Sequence, residues 1–119
     1  MIQKESFLRP IDKTGVYWVR TFHLYKGFHR KVSFVGNFIK VSVKKSKPES
    51  FLKKKAKSIA LIVKSNSPTL KKDGSKIRFF SNGCVLIKRK MIFRSKDFVS
   101  GADFKMKRKK LYYKFPGVL

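Results

Sequence analysis

From Ile39 to Lys44 apolar and polar residues alternate strictly: Ile39, Val41 and Val43 fall on one side, Lys40, Ser42 and Lys44 on the other. That period of two predicts a strand, within Gly36 to Lys44, buried on one face and wet on the other. Val16 to Tyr25, VYWVRTFHLY, is equally rich in β-formers. There Arg20, Phe22 and Leu24 alternate with Val19, Thr21 and His23, so neither face is purely apolar. Three further short apolar runs follow, Ile59 to Val63, Ile77 to Phe80 and Cys84 to Ile87. Asn82-Gly83, between the last two, predicts a type I′ hairpin turn, because both central residues of that turn need positive φ. Asp73-Gly74 is a second turn signal just before Ile77. The segment thus predicts strand, long basic hairpin, strand, tight turn, strand. Phe7-Leu8 marks a short first strand, and Asp12-Lys13-Thr14-Gly15 a turn. The expected core is Ile39, Val41, Val43, Leu61, Val63, Ile77, Val85 and Ile87.

The connections are polar. Lys26 to Lys31 reads as a basic loop, and so do Lys44 to Lys57 and Lys64 to Lys76; Pro48 opposes regular structure around it. After Ile87 the alternation stops. Short helical turns are predicted from Ser100 to Tyr113, with Pro116 preventing a long terminal helix. Evenly spaced strands joined by turns predict a mainly β fold, a small antiparallel barrel, which also removes open sheet edges. With 119 residues the chain has room for one core: a barrel over about 1–87 and a basic C-terminal extension over about 88–119.

Charge changes the picture. Thirty-one Lys plus Arg against six Asp plus Glu give a net charge of +25, which repels itself unless a polyanion compensates it. Nucleic acid is the first candidate. No basic amphipathic helix points to a membrane surface, and the longest clean apolar run, Ile59 to Val63, is far too short to cross a bilayer. Lysine outnumbers arginine 24 to 7. Lysine contacts phosphate as a point charge rather than reading bases bidentately, which favours recognition of shape and backbone, as in structured RNA. The expected RNA contacts are Arg30, Lys31, Lys44, Lys45, Lys47, Lys53, Lys54, Lys55, Lys64, Lys71, Lys72, Arg78, Lys88, Arg89, Lys90, Lys107, Arg108, Lys109 and Lys110. Aromatic rings, Phe above all, offer stacking surfaces for bases; those in apolar runs, such as Phe79, are assigned to the core.

Catalytic chemistry has little to work with. Glu5, Asp12, Glu49, Asp73, Asp97 and Asp103 are scattered, and Asp12 and Asp73 sit in turns, where Asp serves local hydrogen bonds. His23 and His29 are not at a recurring metal-ligand spacing. Cys84, the only cysteine, excludes an internal disulfide and lies in an apolar run, where Cys behaves as a small hydrophobe. No phosphate-binding Gly-rich loop is present. The chain reads as a non-enzyme without cofactor or metal.

The motifs together resemble the universal large-subunit ribosomal protein 14 family. Met1-Ile2-Gln3 matches its opening, and Asp12-Lys13-Thr14-Gly15-Val16 resembles its Asp-Asn-Ser-Gly-Ala turn. Gly36-Asn37-Phe38-Ile39, running into Ser42-Val43-Lys44, resembles its Gly-Asp-x-Ile strand ending in Val-Lys. Lys53-Lys54 fits its Lys-Lys pair, and Ala60 to Ser65 resembles Ala-Val-Val-Val-Arg-Thr. Asp73-Gly74-Ser75 with Ile77-Arg78-Phe79 fits Asp-Gly-Ser-x-Ile-Arg-Phe, and Asn82 to Ile87 matches Asn-Ala-x-Val-Leu-Leu; Pro116 to Leu119 resembles the usual ending. Asn37 replaces the usual Asp, and Lys55 stands where the family has Gly. Between Lys88 and Phe115 the family's Gly-Thr-Arg-Ile-Phe-Gly-Pro-Val pattern is absent, with Asp97-Phe98 its only echo.

The resemblance implies a five-stranded barrel with small C-terminal helices and a structural role in the large ribosomal subunit. It implies binding to large-subunit rRNA, contact with large-subunit protein 19, contact with small-subunit rRNA at intersubunit bridges, and docking of a ribosome-silencing factor. A Phe-, Lys- and Tyr-rich composition fits an AT-rich genome. With no leader in MIQKESFLRP, the expectation is a protein encoded inside a mitochondrion and part of the ribosome in its matrix, a bacterial cytoplasm or a plastid being the alternatives. From composition alone, the rival reading is a free-standing nucleoid or RNA-chaperone protein.

Overall fold

The computed structural model describes residues 1–25, 27, 29–95, 98–103 and 116–117. Its strands are β1 (Ile2–Gln3), β2 (Phe7–Pro10), β3 (Val16–Leu24), β4 (Val32–Ser33), β5 (Phe38–Ser46), β6 (Lys57–Lys64), β7 (Thr69–Leu70), β8 (Lys76–Ile77) and β9 (Gly83–Ile87). Five of them close a barrel in the order β2-β3-β5-β6-β9. All neighbours are antiparallel except the closing pair, β2 with β9, which is parallel. Short two-stranded sheets, β1 with β4 and β7 with β8, sit beside the barrel.

The strict alternation in β5 is realised: Ile39, Val41 and Val43 are fully buried, while Lys40 and Ser42 are half-buried and Lys44 is exposed. Each such aliphatic side chain stabilises the fold by about 1.5–3 kcal/mol. In β3 the alternation breaks because register shifts fall between Val16 and Trp18, between Trp18 and Val19, and between Thr21 and His23. A bulge adds one residue and shifts the phase of the strand. Val16, Val19, Thr21 and Leu24 therefore point inward, and two adjacent pairs, Tyr17-Trp18 and Phe22-His23, are exposed.

Leu61, Val63, Val85 and Ile87 are buried as expected, but Ile77 is only half-buried. The run Ile77 to Phe80 is not a barrel strand. Only Lys76–Ile77 is extended, paired with β7, and the Phe80 side chain stands wholly in solvent. Asn82-Gly83 accordingly makes no type I′ turn, since neither residue has positive φ. Gly83 instead begins β9 between β2 and β6, where an added Cβ would lie 3.3 Å from Ile11 and Lys64 side-chain carbons. The strand expected to end at Lys44 runs on through Lys45 to Ser46, so Lys45, expected in a loop, belongs to β5. The turn at Asp73-Gly74 does form, with Gly74 at φ +91° and its N–H donating to the Lys71 carbonyl at 3.2 Å.

Strands β6 and β9 are buried on both faces because the chain after β9 folds back over them. Arg94 N–H donates to the Leu86 carbonyl (3.2 Å), Val99 N–H to Ile11 (2.8 Å) and Asp103 N–H to Val63 (3.1 Å). Phe93 and Phe98 meet edge to face, centroids 5.0 Å apart, in this cover. The described residues contain no helix; most of the predicted helical stretch, like Lys107 to Lys110 and Asp97, lies outside them.

Candidate nucleic-acid interface

The connection from β5 to β6 is the most lysine-rich, and it is held rigidly. Gly15, at φ +84°, lets the β2–β3 turn approach it so closely that an added Cβ would stand 3.2 Å from Ser50 Cβ. Lys47 N–H donates to the Gly15 carbonyl at 2.8 Å, and the buried Ser50 hydroxyl donates to the Thr14 carbonyl at 2.8 Å. Beyond this anchor a turn closes through Ala56 N–H donating to the Lys53 carbonyl at 3.2 Å. Lys55, at φ +68°, occupies the third position of that turn, where positive φ is required and Gly is preferred. The family-like Gly at this position thus has a conformational reason, and Lys55 takes up the strained conformation. Lys53, Lys54 and Lys55 are all exposed; Lys53 Nζ donates to the Pro48 carbonyl at 2.7 Å.

The β6–β9 connection forms a second projection. Asn66 N–H donates to Asn82 Oδ1 at 2.9 Å, Arg78 Nε–H donates to Asn66 Oδ1 at 3.2 Å, and Phe79 N–H donates to the Ser65 carbonyl at 3.2 Å. At the tip the Asp73 carboxylate accepts from Ser75 N–H (3.0 Å) and its hydroxyl (2.6 Å), which holds its pKa below the usual carboxylate range. Lys72, Lys76 and Arg78 are exposed and Lys71 is half-buried. Phe79, expected in the core, is half-buried outside it, with Lys64 Nζ 5.6 Å from its ring centroid.

The expected contacts do not form one patch. The alternation of strand directions places Lys44, Lys45, Lys47 and Lys53 to Lys55 at one end of the barrel, with exposed Lys88, Arg89 and Lys90 after β9. Arg30, Lys31, Lys71, Lys72 and Arg78 belong to connections leaving the other end. Arg30 Nε–H donates to the Val32 carbonyl at 2.7 Å, fixing its side chain. Lys64 is different: it lies half-buried on the wall, hydrogen-bonded to the Ser100 hydroxyl, and burial pulls its pKa down. It lines a groove of about 680 Å³ together with Arg9, Asp12, Lys13, Lys47 and Glu49.

Two groups weighed for chemistry are structural in their surroundings. The Cys84 thiol is fully buried, and burial pushes its pKa up, with the nearby Asp12 charge adding to the effect. Asp12 does more than close its own turn. Beyond the Thr14 hydroxyl (2.7 Å), it binds a main-chain group of β9. His23 is exposed and edge-on to Tyr25, centroids 5.1 Å apart.

A family model described as Ribosomal protein L14p/L23e matches residues 1–114. The chain belongs to this family. The large ribosomal subunit protein uL14m of Tetrahymena pyriformis is 43% identical over 117 residues, covering 98% of each chain. This ribosomal-protein family is structural, and the closed five-stranded barrel is the form that the resemblance implies. Sequence reasoning named Lys45 but missed Arg20 and Lys57, and it did not place the rings that the register shifts of β3 leave exposed on the barrel wall. The signal was there in VYWVRTFHLY, whose two faces are both mixed.

Proposed function

We propose that the chain is a structural constituent of the large ribosomal subunit, docked on rRNA through the phosphates that its basic connections reach. The observation that carries this reading is the tip of the β5–β6 connection, where three consecutive exposed lysines sit on a backbone anchored to the barrel. A preorganised cationic loop loses little entropy on binding, and lysine neutralises phosphate without base identity. Lys88, Arg89 and Lys90 extend the same end, and the second projection, with Lys72 and Arg78, supplies a second phosphate-binding end. Through its family the chain is further expected to contact large-subunit protein 19, small-subunit rRNA at intersubunit bridges and a ribosome-silencing factor. The uL14m relative supports a mitochondrial ribosome as its location.

Sedimentation of organelle extract tests the reading. The chain should travel with the large subunit and stay there through a moderate-salt wash. Recovery only in the slowly sedimenting pool, bound to DNA or to bulk RNA, would replace this reading with the free-standing basic protein.

A further inference from the structure

Among the described residues, the chain after β9 covers one half of the barrel wall, and the other half, β2-β3-β5, carries no such cover. The register shifts in β3 turn Tyr17 and Trp18 outward together, and then Phe22 and His23. A regular strand would have sent one of each pair inward. Three rings on this wall have a cation over them: Arg20 lies 5.7 Å from the Phe7 centroid, Lys45 5.9 Å from Tyr17, and Lys57 5.9 Å from Phe22. Cross-strand pairing lines Phe7, Arg20, Ser42 and Lys57 in one transverse row across β2, β3, β5 and β6. Trp18 pairs with Lys45 in another. Glu5 is ion-paired with Arg20, and Tyr17 at the edge of the wall borders the groove that holds Asp12 and Glu49.

We propose that this wall is a stacking surface for unpaired bases of RNA, centred on Trp18. The inference rests on the rRNA-binding reading and adds to it a second mode of contact, away from the lysine loops. Trp18 is 44% and Phe22 37% exposed, so each ring stands out from the wall with area free for a base. Cations beside the rings meet the phosphates between successive bases, which is how single-stranded nucleic acid is held without sequence reading. A duplex cannot use the wall, because its bases are already stacked on one another. A protein partner fits less well, because lysine is depleted at the centres of protein interfaces, and here Lys45 and Lys57 lie among the rings.

Trp18 is the only tryptophan in the chain, so its fluorescence reports this wall alone. The intact chain is titrated with an unstructured RNA strand, with the same strand annealed to its complement, and with an abasic phosphodiester strand of equal length. Anisotropy of labelled strands measures binding independently. The unpaired strand should quench Trp18 strongly, while the duplex and the abasic strand bind with little quenching. Trp18→Ala should weaken binding of the unpaired strand roughly five- to a hundredfold and leave duplex binding unchanged; Trp18→Phe should retain most of the affinity. Equal quenching by the abasic strand, or equal loss on the duplex, would overturn the stacking surface while leaving phosphate docking intact. Failure of every RNA to bind would overturn both readings. Unquenched Trp18 with RNA bound elsewhere would return the wall to a protein partner.

Discussion

Asp12 Oδ2 accepts the main-chain N–H of Leu86 at 3.0 Å, joining the β2–β3 turn to β9 across 74 positions of the chain. Both residues are buried, so the bond is sheltered from water and Leu86 N–H has no solvent to fall back on. Asp12→Ala should therefore cost about 1–3 kcal/mol, the penalty for orphaning a buried donor. Asp12→Asn, which keeps an acceptor oxygen, should cost much less. Chemical denaturation of the three proteins checks the order.

The same pair carries a pH dependence. Burial raises the Asp12 pKa, and the hydrogen bonds from Thr14 and Leu86 only partly offset that. A carboxyl whose folded pKa lies above its unfolded one contributes stability that is fully present below the unfolded pKa and lost as pH rises through the folded pKa. Wild type should thus gain on Asp12→Asn as pH is lowered from about 7 to about 4. The difference between their denaturation midpoints isolates Asp12, since other titrating groups are common to both. A difference that moved the other way would mean the hydrogen bonds outweigh burial.

Lys55 holds φ +68° in the turn that closes onto Val43, its N–H donating to the Val43 carbonyl at 2.9 Å. A side chain in the left-handed region costs about 1–2 kcal/mol, and glycine's greater freedom in the unfolded chain returns part of it. Lys55→Gly should stabilise the barrel by about 0.5–1 kcal/mol. Lys54→Gly, one residue earlier and outside the positive-φ position, should destabilise it. Equilibrium unfolding of the two variants under one buffer tests the contrast.

Much of this architecture was written in local periodicity. The alternation of Ile39, Val41 and Val43 was legible because β5 is buried on one face only. β3 was legible as a strand but not in its facing, because bulges depend on the register of a neighbour and leave no mark on composition. Ile77 to Phe80 misled for a related reason. Its β-formers look like a core strand, yet the barrel closes by pairing β9 directly with β2, and no gap remains for a further strand. Asn82-Gly83 then has no hairpin to turn. The long-range bond of Asp12 could not be read either, since the Thr14 contact two residues away explains an Asp in a turn equally well. For the basic residues, identity was evident and arrangement was not, because their grouping at two ends follows from strand direction.

Cys84 is enclosed between β2 and β6, with no exposed surface. With burial holding the thiol protonated, it should not react with a thiol reagent in the folded protein and should react fully once denaturant is added. Cys84→Val should cost less than about 1.5 kcal/mol, as a swap close in volume. Cys84→Ser should cost about 1–3 kcal/mol, from a hydroxyl buried among apolar neighbours. A stable Cys84→Val protein that failed to enter the large subunit would give the thiol a role beyond packing.

The docking model makes its sharpest statement about salt. Each phosphate neutralised by a lysine releases counterions, so log affinity falls linearly with log salt concentration. Lys53, Lys54 and Lys55 project together from the anchored β5–β6 turn, Lys53 with one hydrogen bond to the Pro48 carbonyl that a phosphate can replace. Lys55 should be replaced by Gly rather than Ala, so that the φ +68° position is relieved and the loop keeps its shape. The variant Lys53→Ala, Lys54→Ala, Lys55→Gly should bind an rRNA fragment more weakly, with the magnitude of its salt slope smaller by about two to three, near one unit per lost contact. Its preference for that fragment over a scrambled duplex should change little, because phosphates carry no sequence. An unchanged slope would leave these lysines as a solvated tip. Lost discrimination at constant slope would make them base readers, and phosphate docking at this end of the barrel would have to be abandoned.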